Sequence, residues 1–218
     1  MRATPKAQAR AEGINLVEVT VALALLVTLA LVLTPSIADI INDSRVARAR
    51  NDCNTIASAI VQFRKDTGFF PQWARALPGR PGETRERLVL LTGPGNAPTG
   101  DAGNIALQPW LSPSGQLSTG ALGDQLIANT PVYPPRGPSA ALGWNGPYLS
   151  SPVGADPWNN RYMVNVGAAD PSREPQATGG DNAVWVISAG PNGIIETPFV
   201  QPGASAKLSG DDVGSRVR

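Results

Sequence analysis

Twenty consecutive residues, Val19 to Ala38, carry no charge, and the residue directly before them is a glutamate, Glu18. At ~1.5 Å per residue, a helix of that length reaches roughly 30 Å, the hydrocarbon thickness of a bilayer. Only Thr20, Thr28, Thr34, Pro35 and Ser36 break the apolar run. Arg2, Lys6 and Arg10 precede it, so the positive-inside rule predicts a cytoplasmic N-terminus, with everything after Ala38 on the far side. An ionised group at the mouth of such a span is costly and marks a functional position by default. A cleaved secretory signal has a shorter apolar core of ~7–15 residues. A plain signal anchor accounts for the length and the flanking charges. It accounts neither for Glu18 nor for Gly13 ahead of the run.

Beyond the run, Val46, Ala49, Cys53, Ile56, Ile60 and Phe63 are spaced 3, 4, 3, 4 and 3, one apolar stripe on a helix. Arg45, Arg48, Arg50, Asp52, Arg64 and Lys65 occupy the other faces. Asp66-Thr67-Gly68 reads as a stop, with Gly68 able to turn left-handed and Pro71 blocking continuation. One helix from Ile14 to Asp66, ~80 Å long, is therefore expected, apolar all round at first and amphipathic after. Pro35 should kink it or melt it locally. Gly79 to Glu83 reads as a turn and Thr84 to Leu91 as a short amphipathic helix ended by Gly93-Pro94. From 93 to 138 the chain reads as irregular loop, with one helical turn at Asp124 to Ala128. Arg161 to Val166 and Ala183 to Ala189 are β-rich, bounded by turns at Asp156-Pro157, Asp170-Pro171 and Gly190-Pro191. The expected class is α+β: a long N-terminal helix packed on a small C-terminal antiparallel sheet.

Composition removes several functions. There is no histidine, which takes away the usual general base, the usual zinc ligand and the Ser-His and Cys-His pairs. The single cysteine, Cys53, excludes an intramolecular disulfide and reads as a small core hydrophobe. The net charge is +1, with no basic block interleaved with aromatics, so nucleic acid is not an expected partner. A membrane-anchored enzyme would have to work with Asp156, Asp181, Asp211 and Asp212. None of them stands at a telling spacing from a base or nucleophile.

A basic leader ending in Gly13, an apolar Ile14, Glu18 as the fifth residue after the glycine and Pro35 as the twenty-second together resemble a type IV prepilin leader. Ile14 stands where phenylalanine is commoner and Asn15 where threonine is commoner. The pattern is shared by type IV pilins and by the pseudopilins of type II secretion. The resemblance implies a type IV pilin-like fold and cleavage between Gly13 and Ile14 by a membrane-embedded prepilin peptidase that also methylates the new amine. It implies that Glu18 pairs with the amine of a neighbouring subunit, the partner that a buried carboxylate needs. Removing Arg2, Lys6, Arg10 and Glu12 would take the net charge from +1 to −1. The domain plan is then a cleaved leader (1–13), a long helix (14–66) with its membrane and polymerisation half at 14–38, and a periplasmic globular region (67–218) with an extended 93–138 loop.

Further on, Trp144-Asn145-Gly146-Pro147-Tyr148-Leu149 and Asp156-Pro157-Trp158-Asn159-Asn160-Arg161-Tyr162 resemble the G-P-Y-L and D-P-W-G-N-x-Y segments of the major pseudopilin. Thr67-Gly68-Phe69-Phe70-Pro71 resembles its G-x-Y-P turn. Ser188-Ala189-Gly190-Pro191-Asn192-Gly193, followed by Gly210-Asp211-Asp212-Val213, resembles its calcium loop. Carried over by position, the Ca2+ ligands would be the Ala189 carbonyl, Asn192, Asp211 and Asp212. Asn192 replaces the family's aspartate and removes one charge, for which Glu196 in the same loop is a candidate substitute. The implied function is that of a structural subunit, not an enzyme. It would polymerise into a pseudopilus filament at the bacterial inner membrane, with lipid, other pseudopilins and an inner-membrane assembly platform as partners. A subunit of a type IV pilus for adhesion, motility or DNA uptake is the alternative from the same superfamily. The missing disulfide and the D-P-W-x-N segment weigh against it.

Overall fold

The computed structural model describes residues 15–72, 89–101, 103–104, 106–111, 119–137, 142–169 and 181–217. The side chains of residues 31–36 and 108 are outside that set. Gly13, Ile14, the whole 1–13 leader, the Gly79–Glu83 turn and the Asp170-Pro171 turn also lie outside the described residues. Two compact units divide the chain, Met1–Ser44 and Arg45–Arg218.

Helix α1 runs from Leu16 to Thr67. Asn15 caps its start, its side-chain oxygen accepting the Val17 N–H at 3.3 Å. In the first unit Leu16, Val17, Leu23, Leu25, Leu26, Val27 and Leu29 are all exposed. The hydroxyls of Thr20 and Thr28 donate to the carbonyls of Val17 and Leu25, each at 2.9 Å, so they find their partners inside the helix. The helix is continuous through Pro35, so the expected local melting does not occur. A proline withholds one N–H, and a helix this long carries that loss. Among the described residues, no helix is long and apolar enough to cross a membrane. The expected span includes residues 31–36, whose side chains are not among them.

In the second unit the stripe on α1 becomes a core face. Ala49, Cys53, Ile56, Ile60 and Phe63 have no solvent exposure, and Val46 is half-buried. The helix stops where expected: Gly68 adopts φ +86°, and its N–H returns to the Arg64 carbonyl at 2.8 Å. The face packs on a five-stranded sheet. Its strands are β1 (Val89–Leu91), β2 (Thr119–Ala121), β3 (Met163–Val164), β4 (Trp185–Ser188) and β5 (Val213–Arg216), in the order β2-β1-β3-β4-β5. Two short helices, α2 (Gln108–Leu111) and α3 (Leu122–Leu126), lie in the 93–138 stretch.

Three expectations are corrected here. The sheet is mixed rather than antiparallel, because β2 joins β1 in parallel. Residues 89–91 form a strand where the helix 84–91 was expected to end; 84–88 lie outside the described residues. Leu90 and Leu91 pair with Val164 and Met163, and a burial site on both faces of a sheet outweighs the helix preference of leucine. The 93–138 stretch has more than the one helical turn expected at Asp124 to Ala128, which α3 overlaps, since it also supplies an edge strand and the helix α2.

Alternation along the strands divides the core. Leu90, Val164 and Val186 stand in one row across β1, β3 and β4 and face α1. Val89, Met163, Trp185 and Ile187 point the other way, onto Trp110, Ile195 and Phe199. The central strands are buried on both faces, which is why Ala183 to Ala189 reads as a nearly unbroken apolar run. Asn165 stitches this second layer. Its side chain donates to the Phe199 and Ala183 carbonyls at 2.6 and 3.3 Å and accepts the Trp185 N–H at 2.6 Å. On the helix side, the Cys53 thiol contacts the Val213 carbonyl at 3.6 Å.

Two tests follow from this packing. Asn165→Ala should lower stability by about 3 kcal/mol, read by urea denaturation, because it strands one buried N–H and two carbonyls. Burial, with the charges of Asp52 and Asp156 adding to it, pushes the Cys53 thiol well above its ordinary range. A thiol reagent at neutral pH should therefore label Cys53 only as fast as the chain unfolds. Prompt labelling of folded protein would contradict this packing.

Candidate cation-binding loop

Sheet register places the site. Ser188, the last residue of β4, pairs with Val213, the first of β5. Ala189 and Asp212 therefore leave the same end of the sheet side by side. At Gly190 the chain turns with φ +63°, and a Cβ built there would collide with the Asp211 carbonyl oxygen. Only glycine fits so close to that strand entry.

The two aspartates are held by backbone amides. Asp212 is only 7% exposed, and its Oδ2 accepts the N–H groups of Glu196 and Thr197 at 3.0 and 2.7 Å. Asp211 Oδ2 accepts the N–H of Asn192 at 3.2 Å. That leaves one oxygen of each carboxylate: Asp211 Oδ1 and Asp212 Oδ1 are buried and have no hydrogen-bond partner among the described residues. Burial pushes the Asp212 carboxyl above the usual range. The donors on Thr197 and Glu196 pull it back, and the Glu196 charge pushes it up again.

A buried oxygen on each of two consecutive aspartates, met by no donor among the described residues, suits a hard cation that takes oxygen ligands. Of the four expected ligands, the fold brings Asn192, Asp211, Asp212 and the Ala189–Gly190 peptide into one loop. Asn192 lies on the exposed side, and its side-chain oxygen already accepts the Ile194 N–H at 2.6 Å. Glu196, the candidate substitute for the lost charge, lies in the same loop, where its Oε2 accepts the Asp211 N–H at 3.1 Å and braces the chain. Among the described residues, no three Asp, Glu, His or Cys side chains are grouped so as to hold a metal ion. The expected ligand set itself has only two carboxylates, Asp211 and Asp212, beside the Asn192 amide and the Ala189 carbonyl.

The loop is clamped from outside as well. Thr99 lies alongside Ile194, with its N–H bonded to the Gly193 carbonyl and its carbonyl to the Ile195 N–H, at 3.0 and 2.8 Å. Asp156, expected to start a turn and named among the candidate carboxylates, is a buried anchor. Its Oδ1 accepts the N–H groups of Trp158 and Asn160 at 2.9 and 2.7 Å. Its Oδ2 accepts the Ser188 hydroxyl at 2.6 Å. The Asp-Pro turn and the Ser-Ala-Gly string are both visible in the sequence. The bond that joins them crosses 32 residues, and no local pattern announces it.

The other expected functional positions, Glu18 and Pro35, lie within α1. The Glu18 N–H bonds the Asn15 carbonyl at 2.9 Å as part of the first turn, and its side chain is exposed.

If the orphan oxygens take a cation, millimolar Ca2+ should raise the melting temperature of the full chain in detergent, saturably. A ligand at 100 times its Kd adds about 2.7 kcal/mol. Asp212→Asn should abolish the calcium-dependent part of the rise. An identical calcium response in that variant would rule this loop out as its origin.

Compared with known proteins, the chain matches no family model, no curated protein and no solved structure.

Proposed function

We propose that this chain is a pseudopilin-type structural subunit of a type II secretion pseudopilus. In this reading it is cut after Gly13, anchored in the bacterial inner membrane by residues 14–38, and carries its globular region in the periplasm. Copies polymerise through their N-terminal helices into a periplasmic filament that assists protein export. Other pseudopilins, the prepilin peptidase and an inner-membrane assembly platform are its partners. It performs no catalysis.

The observation that supports this reading best is the two-part character of one helix. From Leu16 to Leu29 the apolar side chains of α1 are exposed, whereas from Ala49 to Phe63 they are buried against the chain's own sheet. A contiguous exposed apolar surface of that extent calls for lipid or protein around it. Thr20 and Thr28 turn their hydroxyls back onto the helix, which suits apolar surroundings. Glu18 is then the one charge needing compensation, and the α-amine of a neighbour cut at Ile14 supplies it. Association in lipid rests on close packing and on such polar pairs, since apolar burial alone gives no driving force there. In the globular region, Ala189, Asn192, Asp211 and Asp212 hold Ca2+, which pins the loop between β4 and β5 and contributes folding energy.

Intact mass from cells containing a prepilin peptidase tests the processing step. The expected product lacks residues 1–13 and carries one added methyl; an uncut Met1 chain would overturn the reading. Glu18→Val should leave the chain membrane-inserted and abolish filaments seen by electron microscopy. Normal filaments from that variant would remove Glu18 from the assembly mechanism.

A further inference from the structure

We propose that Asp156 is a positioning residue for the cation loop, acting through Ser188 to set the direction of the Ala189 carbonyl. The inference rests on the reading of that loop as a cation site.

The argument follows one chain of bonds. Asp156 is buried, 4% exposed, and its Oδ1 is fixed by two backbone N–H groups of its own turn. Its Oδ2 is thereby aimed, and the Ser188 hydroxyl donates to it at 2.6 Å. A charged acceptor makes that bond strong and fixes the hydroxyl hydrogen on the Asp156 side. The lone pairs of Ser188 Oγ are left for another donor, and the Gly190 N–H takes one at 3.1 Å. Gly190 N–H belongs to the same planar trans peptide as the Ala189 carbonyl. In such a unit the N–H and the C=O point in opposite directions. Aiming the N–H at Ser188 therefore turns the Ala189 oxygen away from Ser188.

The same peptide has no room to rotate freely. Ala189 is fully buried, and Gly190 passes so close to Asp211 that any side chain would meet its backbone. Ser188 is itself fully buried, so no water replaces its hydroxyl at the surface. Asp156 touches neither Asp211 nor Asp212 through any hydrogen bond described. Its influence on the cation passes through Ser188. Groups at this remove from a metal cost 10–100-fold in affinity when they are removed.

Calorimetric titration of Ca2+ into the full chain in detergent tests the proposal, with wild type, Asp212→Asn, Ser188→Ala, Asp156→Asn and the Ser188→Ala/Asp156→Asn double variant. Ser188→Ala is the variant expected to keep the fold, checked by near-UV circular dichroism. It should bind Ca2+ about 10-fold or more weakly, and Asp156→Asn should weaken binding too. The double variant should be no weaker than Ser188→Ala, because Asp156 acts through the hydroxyl already removed. Amide exchange at Gly190 should accelerate in both single variants without calcium, while exchange across Val186 and Ile187 stays slow. A merely structural anchor would loosen β4 as well. Wild-type affinity in folded Ser188→Ala overturns the proposal alone, and so do additive losses in the double variant. If wild type takes up no more Ca2+ than Asp212→Asn, the cation reading falls, and the proposal with it.

Discussion

The structure depends on burying the second half of α1 against a sheet too small to stand alone. The strands are two to four residues long, and short strands of this kind need a packed face to persist. The helix provides it with a graded surface. Ala49, Cys53 and Ala57 are small and let β5 approach, close enough for the Cys53 thiol to meet the Val213 carbonyl. Ile56 and Ile60 fill the middle of the same buried cluster, together with Leu90, Val164 and Val186. Phe63 ends the row among aromatics, edge-on to Tyr133, Trp144 and Tyr148 at centroid distances of 4.9 to 5.9 Å. One polar tie accompanies this packing: the Tyr162 hydroxyl donates to Asp52 at 2.8 Å across the helix–sheet boundary. Burial and that carboxylate push the phenol far above its ordinary range, so it remains a donor throughout the neutral range.

The long-range character of the remaining contacts explains what the sequence disclosed and what it did not. The helical stripe and its Gly68 stop are local, periodic signals, and they lie where the residues placed them. So do β3 and β4, whose β-branched and aromatic residues sit between clear turns. The strands that escaped detection have little preference of their own. Thr119-Gly120-Ala121 is a poor strand former, and it becomes one only because β1 offers a parallel edge. Val213-Gly214-Ser215-Arg216 has a single large apolar side chain, yet it pairs with β4 along four residues. Val89-Leu90-Leu91 reads as the end of an amphipathic helix until its neighbours bury it on both faces. In the candidate site, the adjacent aspartates and the Ser-Ala-Gly-Pro-Asn-Gly string were legible as a resemblance. The role of Glu196 and the Asp156–Ser188 bond were not, because both are set by segments that meet only in three dimensions.

Three buried aspartates separate scaffold from candidate site on electrostatic grounds. Asp66 accepts from the Gln62 amide at 3.3 and 3.4 Å and has the Arg136 guanidinium at 3.9 Å. Asp156 engages both oxygens, with two amides and one hydroxyl. In each, the charge is met by donors, and the carboxylate ties segments together without needing anything further. Asp212 differs. Two amides satisfy one oxygen, the other has no partner among the described residues, and Asp211, next in the chain, has a second oxygen in the same condition. An uncompensated buried charge costs several kcal/mol, far more than a neutral group left unpaired. Two buried oxygens that meet no donor among the described residues are a cost that a bound water or a cation would offset. Protonation of Asp212, which burial favours, is another such offset. A divalent cation shared by the two carboxylates would offset both charges, and that is why this loop, rather than Asp66 or Asp156, is the candidate site.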